Sequence, residues 1–427
     1  MSPVEGRRLI CCFDGTGNEF GEINSNVVEL FRALTKDKPD EQLVYYQTGI
    51  GTYTSPLIAT PIASRVATIA DQAVAWYLPE HVKDGYTFLM QNYRPNDRIY
   101  LFGFSRGAYT ARALAGMLHK VGLLPQFNNE QVPFAYKIFN RSDKVGWELS
   151  EKFKKTFTAH EVRIEFVGVW DTVSSVGIIP RQLPFTSSNF AIKTFRHALS
   201  LDERRCKFLP NTWNTPTARE AALGYQPSGG PVQKENGDWQ YEPPEDETTN
   251  VLEVWFTGTH ADVGGGMTAE QVRLSRISLA WMIKECQKTN SGILFDDAAI
   301  EGLGIDPKTF RLLQGKAAET SISFDTNDDH TQWGYWGAKM FDQLIAAPAW
   351  WLLEVIPLIH TYYHQGKKKR YISRNFGRGR YMYPPSEGTI KVHKSVKHRI
   401  ESWKDGTIYG PKIQNFDEIL EHIEWVE

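Results

Sequence analysis

The chain has 427 residues, with 48 Lys and Arg against 50 Asp and Glu, and a formal net charge of −2. That balance excludes a global basic field for nucleic acid, and a 41% hydrophobic, 23% charged composition excludes chain-wide disorder. The length allows one large α/β domain with insertions, or two or three smaller domains.

The opening "MSPVEGRRLICCF" has no basic stretch followed by a long apolar run. No secretory signal is therefore expected, and a cytoplasmic location follows, with peripheral membrane contact as an option. Leu9 to Phe13 reads as a buried strand that ends in the Gly-rich turn Asp14-Gly15-Thr16-Gly17-Asn18. Cys11 and Cys12, neighbours in that strand, point to opposite faces and cannot pair. With Cys206 and Cys286 they read as small buried hydrophobes in a reducing compartment, because no CxxC spacing suggests a metal.

Helical spacing follows in Val27, Val28, Leu30, Phe31 and Leu34. Leu43 to Tyr46 is a second strand, and residues 55–93 read as mostly helix. "IYLFGF" is a third strand, entered through a Pro-Asn-Asp turn. The run after Ser105 is a helix, with Gly122 placed to stop it. "EVRIEFVGVW" and "NVLEVWFTGT" are the fourth and fifth strands.

Strands alternating with helices, with Gly or Asp at the strand ends, predict a mostly parallel, doubly wound α/β sheet of the α/β-hydrolase type. Residues 1–299 form the expected core. An insertion interrupts it at about 173–250, where the stretch around His197 has a helix-like pattern. Residues 300–427 are expected to pack on the core as a helical and irregular cap.

The interesting residues fall at the carboxyl ends of strands, where sites form in such sheets. Ser105 lies in Gly103-Phe104-Ser105-Arg106-Gly107, between a strand and a helix. That is the context of a nucleophile elbow, with glycines letting neighbouring backbone approach. The N–H of Arg106 at the helix start is one donor to a developing oxyanion, and Gly15 or Thr16 is the other. His260 ends an apolar run and precedes "ADVGGG", so it is the expected general base on a glycine-rich loop. Asp171 is the favoured acid, because the order Ser105, Asp171, His260 matches α/β-hydrolases. Asp262 is the main rival and Asp202 another; Asp262 can instead brace the loop, and Asp202 reads as a salt-bridge residue. Asp14 is a supporting candidate. No Walker lysine follows it, so a phosphate-binding loop is not supported.

Several motifs together resemble the type VI secretion phospholipase-effector-like hydrolases, a bacterial and fungal family. They are "FDGTGN", "SNVVEL", "YYQTGIGT", "GFSRGAYTARALAGML", "VGVWDTVSSVG", "RHALSLDERR" and "FTGTHADVGGG". The resemblance spans roughly residues 9–285. It implies an α/β-hydrolase core, a Ser–Asp–His triad on Ser105, Asp171 and His260, and lipid esters as substrates. Short N-terminus and compact length look more like the fungal members.

Residues 345–370 are apolar and aromatic, then strongly basic. They read either as a buried cap helix followed by a solvated basic loop, or as a membrane face with Trp350, Trp351, Tyr362 and Tyr363 at the interface. The leading expectation is a serine esterase or lipase that needs no metal or cofactor. A metal-dependent phosphoester hydrolase using Asp14, Asp171, His260 and Asp262 is the second reading, and a non-catalytic binding protein the third. The sequence says nothing of oligomeric state.

Overall fold

β1 (Arg8–Phe13) is buried along nearly its whole length, and so is β3 (Arg98–Phe104). Strands covered on both faces belong in the middle of a parallel sheet. In the computed structural model, the described residues are 6–16, 18, 20–49, 63–158, 162, 164–173, 183, 185–186, 189, 191–213, 232–233, 239–240, 249–266, 272–313, 338–364, 367–383, 388–402 and 409–427.

The other strands are β2 (Gln42–Gln47), β4 (Ile164–Trp170), β5 (Ile192–Ser200), β6 (Val232–Gln233), β7 (Trp239–Gln240), β8 (Asn250–Phe256), β9 (Leu358–His364), β10 (Lys367–Ser373), β11 (Ile390–His393) and β12 (Ile423–Val426). Six of these join β1 and β3 in one eight-stranded sheet of order β12-β11-β8-β5-β4-β3-β1-β2, and every pairing in it is parallel. All its strands therefore deliver their carboxyl ends to the same edge. The fold is of the α/β-hydrolase type, a mostly parallel sheet flanked by helices.

Helices cover both faces. They are α1 (Asn26–Ala33), α2 (Ala63–Asn92), α3 (Arg106–Val121), α4 (Val132–Phe139), α5 (Lys144–Phe157), α6 (His260–Gly264) and α7 (Val272–Lys288). Cys11 sits with Leu9 and Phe13 in the layer under α2 and α3; Cys12 sits with Ile10 in the layer under α1 and α7. This is the strand alternation expected of neighbours, and all four cysteines are free and buried. Ser25 caps α1 by accepting a hydrogen bond from Val28 N at 3.3 Å. The helix after Ser105 stops at Gly122, whose φ of 73° suits glycine.

Three expectations change. The stretch around His197 is not helical: it is β5, a central strand. Arg196 and His197 hid it, and both are paired in space. Arg196 Nε donates to Glu285 at 2.8 Å, and His197 Nδ1 lies 2.8 Å from a Glu253 oxygen. Residues 300–427 also contribute to the sheet, because β11 and β12 extend it past β8. Both strands are four residues long, too short for a clear sequence period. Finally, residues 345–370 are not a buried cap helix followed by a basic loop. A short helix at Trp351–Val355 ends before Pro357, and β9 and β10 then pair as an antiparallel hairpin. The β-branched and aromatic content of "LIHTYYH" favours a strand. Much of the expected insertion, residues 174–182, 214–231 and 241–248, lies outside the described residues, and so does Gly17.

Candidate active site

β3 ends at Phe104 and α3 starts at Arg106, so Ser105 is the whole turn. Its φ of 59° and ψ of −118° are rare for a residue with a side chain and cost about 1–3 kcal/mol. The flanking glycines make the turn possible. A Cβ on Gly103 would stand 2.4 Å from the Gly107 carbonyl oxygen, and one on Gly107 would stand 2.2 Å from the Phe13 carbonyl oxygen. Ser105 N donates to the Trp170 carbonyl at 3.0 Å, which ties the turn to the end of β4.

Asp171 follows β4 directly and is wholly buried, with a φ of 37°. His260 is the first residue of α6, a five-residue helix, rather than part of an irregular loop. Its Nδ1 lies 2.6 Å from Asp171 Oδ2, and its Nε2 lies 2.8 Å from Ser105 Oγ. An ionised carboxylate accepts only, so Nδ1 carries the proton and Nε2 faces the serine as an acceptor. Three residues separated by 89 and 155 positions from one another are thereby joined in one hydrogen-bonded line. The rings of Phe104 and Phe208 pack against the imidazole, with centroids 4.7 and 4.9 Å away.

Burial alone pushes the Asp171 carboxyl up, but Arg380 and His260 outweigh it and hold it well below the usual carboxylate range. Arg380 Nη1 donates to Oδ1 at 2.7 Å and Nη2 to Oδ2 at 2.8 Å, and Ser200 N donates to Oδ1 at 3.0 Å. Burial lowers the His260 pKa, and the bond to Asp171 offsets this in part. The imidazole is therefore neutral at neutral pH, as a base must be. Glu203 accepts from His260 N at 3.2 Å and from Arg205 Nε and Nη2 at 2.9 and 2.8 Å.

The rival carboxylates are occupied elsewhere. Asp262 Oδ2 accepts from Thr259 N at 2.8 Å and from Thr259 Oγ1 at 2.9 Å, and so caps α6. Asp202 accepts from Gly258 N, Lys412 N and the Tyr409 hydroxyl at 2.7, 2.9 and 2.8 Å. It braces loops through backbone amides rather than the salt bridge expected of it. Asp14 Oδ1 accepts from Gly15 N and Ser25 Oγ, both at 2.7 Å, and its Oδ2 accepts from Tyr46 at 2.8 Å. Burial raises its pKa, against these bonds.

Asp14 thus engages the Gly15 N–H that was one of the expected oxyanion donors. The Arg106 side chain reaches back to the same turn, with Nη1 donating to Thr16 Oγ1 at 3.0 Å. Asp14, Asp171 and Asp262 spend their oxygens on donors of this chain, and Asp171 faces a guanidinium. That donor set does not fit a cation. No helix among the described residues is long and apolar enough to cross a membrane.

Glu203, Arg205 and Arg380 escaped the sequence reading. "SLDERR" follows a strand end just as the other site residues do, and reading β5 as a strand would have found the first two. Arg380 has no local signal.

Among known proteins, the uncharacterized Saccharomyces cerevisiae protein YEL023C is 27% identical over 552 aligned positions, covering 93% of this chain and 79% of the yeast protein. The crystal structure of an uncharacterized Pseudomonas aeruginosa protein aligns at 18% identity and a TM-score of 0.36, over 79% of this chain and 51% of that one. The Tle1 effector bound to the VgrG spike of a type VI secretion system aligns at 14% identity and a TM-score of 0.38, over 99% of this chain and 95% of that one. Residues 7–285 match the model of the type VI secretion (T6SS) Tle1-like phospholipase effector catalytic domain, and the chain belongs to that family.

Proposed function

We propose that the chain is a serine hydrolase of carboxylic esters, acting on lipid or phospholipid acyl esters through an acyl-enzyme on Ser105. The observation that carries this reading is the line of hydrogen bonds from Asp171 through His260 to Ser105. Family membership supports a lipid ester as substrate class.

In this mechanism His260 Nε2 takes the Ser105 proton as Oγ bonds to the acyl carbon. The carbonyl oxygen becomes an oxyanion, which the backbone N–H groups of Arg106 and Thr16 stabilise; one such donor is worth about 10²–10³ in rate. His260 returns the proton to the departing alcohol as the ester C–O bond breaks. Water, deprotonated by the same nitrogen, then attacks the acyl carbon; the bond to Ser105 Oγ breaks as His260 returns that proton to Oγ, and a carboxylic acid is released. Asp171 holds the tautomer and stabilises the transient imidazolium.

We further propose that the segment of residues 345–378 meets an anionic lipid surface. Ile345, Leu352, Val355, Ile356 and Ile372 are exposed there. The segment holds six Lys and Arg, and its one carboxylate, Glu354, is buried and accepts from Cys206 N and Gly377 N. Trp350 edges onto Phe208, which itself contacts His260, so this face adjoins the site.

Labelling with a fluorophosphonate, with the wild type beside Ser105→Ala and His260→Ala, tests the chemistry. Wild-type labelling that disappears in both variants supports an activated serine. A folded wild type that stays unlabelled with and without detergent overturns the reading.

A further inference from the structure

The Asp171 carboxylate is gripped by a residue far outside the family-matched region. We propose that Arg380 is a positioning residue of the hydrolytic site, fixing the plane of Asp171 against His260, so that chain beyond residue 285 is a working part of that site. The inference rests on the serine hydrolase reading above.

A carboxylate at a strand end can rotate, and only one rotation points an oxygen along the His260 N–H. The planar fork of an arginine removes that freedom, because its two parallel donors match both oxygens at once. Arg380 is 3% exposed, and it gives each oxygen a bond of 2.7 or 2.8 Å. Its remaining donors tie neighbouring parts of the site. Nη1 also reaches the Ser200 carbonyl at 2.8 Å, and Nε and Nη2 reach the Phe208 carbonyl at 3.1 and 2.6 Å. One guanidinium thus sets the acid, the end of β5 and the residue whose ring packs on His260.

Its own backbone is anchored. Gln414 N donates to the Arg380 carbonyl at 2.9 Å, and a Cβ on neighbouring Gly379 would stand 1.4 Å from the Lys412 carbonyl oxygen.

The charge has a second effect. Around the His260–Asp171 pair stand Arg380 from the C-terminal segment, Glu203 and Arg205 from the loop after β5, and His197 from β5 itself. A fixed positive charge on Asp171 weakens its pull on an imidazolium and so keeps the base neutral to lower pH. Without Arg380, Asp171 keeps only His260 and the Ser200 N–H as partners, and imidazolium forms more readily.

The test uses the full-length chain as Arg380→Met, Arg380→Lys, Asp171→Asn and the Asp171→Asn/Arg380→Met double variant, with kcat, KM and pH profiles on a soluble ester. Expected for Arg380→Met is a loss of about a hundredfold in kcat, the cost of slight misplacement. KM should be little changed, and the acidic limb should move to higher pH. Arg380→Lys should fall between, and removing Arg380 should cost no further kcat in the Asp171→Asn background. A folded Arg380→Met with wild-type kcat and an unmoved limb overturns the proposal. An equal loss in both backgrounds does so too. If Arg380→Met does not fold, Arg380→Lys, which keeps the charge but loses the fork, carries the kcat readout, and wild-type kcat there overturns it. Absent wild-type serine labelling would instead remove the hydrolase reading beneath it.

Discussion

Asp262 lies two residues from His260, yet its carboxylate turns back to Thr259 and caps α6, while Asp171, 89 residues away, holds the imidazole. Chain order favoured Asp171, proximity in sequence made Asp262 its rival, and the bond to the imidazole is made by Asp171. Helix α6 requires residue 262 at its third position, where the side chain reaches back to the cap rather than sideways to position 260.

The two carboxylates should therefore separate in a mutant pair. Asp171→Asn is expected to lower kcat by about 10⁴ with the backbone intact, since the asparagine favours the wrong imidazole tautomer. Asp262→Asn should cost about 1 kcal/mol of stability as a weakened cap, with kcat changed far less. Ester turnover and thermal melting of both variants check this; the reverse pattern would make Asp262 the acid.

The pH dependence follows from His260. Burial lowers its pKa and Asp171 restores part of the drop. The active form is the neutral one, so kcat/KM should hold steady as pH falls through 7. It should decline only below about 6.5, the ordinary histidine value. An acidic limb well above that value in the wild type would contradict the charge arrangement. The Asp171 carboxyl sits below its ordinary range. Its contribution to stability is therefore present above the unfolded carboxylate value of about 3.9 and lost as pH falls through the folded value. Urea midpoints should show no loss from this group between pH 6 and about 4 and a fall below that, of about 1–3 kcal/mol in all.

Gly107→Ala tests the turn. The added Cβ would stand 2.2 Å from the Phe13 carbonyl oxygen, so α3 must move away from β1. Overpacking of this kind costs about 1–3 kcal/mol. Because Ser105 is coupled to the same turn, fluorophosphonate labelling should slow along with the loss in melting temperature. Full labelling at wild-type rate would mean that the turn absorbs the methyl group.

Membrane contact is read out on vesicles. Leu352→Ser and Ile372→Ser change side chains that are 50% and 70% exposed, so the fold should survive. Binding to vesicles containing anionic lipid should weaken in both variants and with added salt, as each basic residue near such a surface contributes about 1 kcal/mol. Hydrolysis of a short soluble ester should stay unchanged. Equal binding to neutral vesicles would remove the anionic requirement, and binding to neither kind would remove lipid as the occupant of this face.

The sequence alone determined the strands that are apolar at all but one position, β1, β3 and β4, and the turn at Ser105. In each, a local pattern of burial and glycine is enough to specify the backbone. It also placed Asp14, Asp171 and His260 at strand ends, because parallel strands buried on both faces must begin and end in polar turns. It missed β5, since Arg196 and His197 look exposed until Glu285 and Glu253 arrive from elsewhere in the chain. It missed β11 and β12, whose four residues each carry too little pattern. That Asp171 and not Asp262 meets His260, and that Arg380 reaches Asp171, were decided by tertiary structure. These are pairings between residues tens to hundreds of positions apart. A buried charge accepts whatever partner the packed sheet brings within about 3 Å, and no local spacing records that distance.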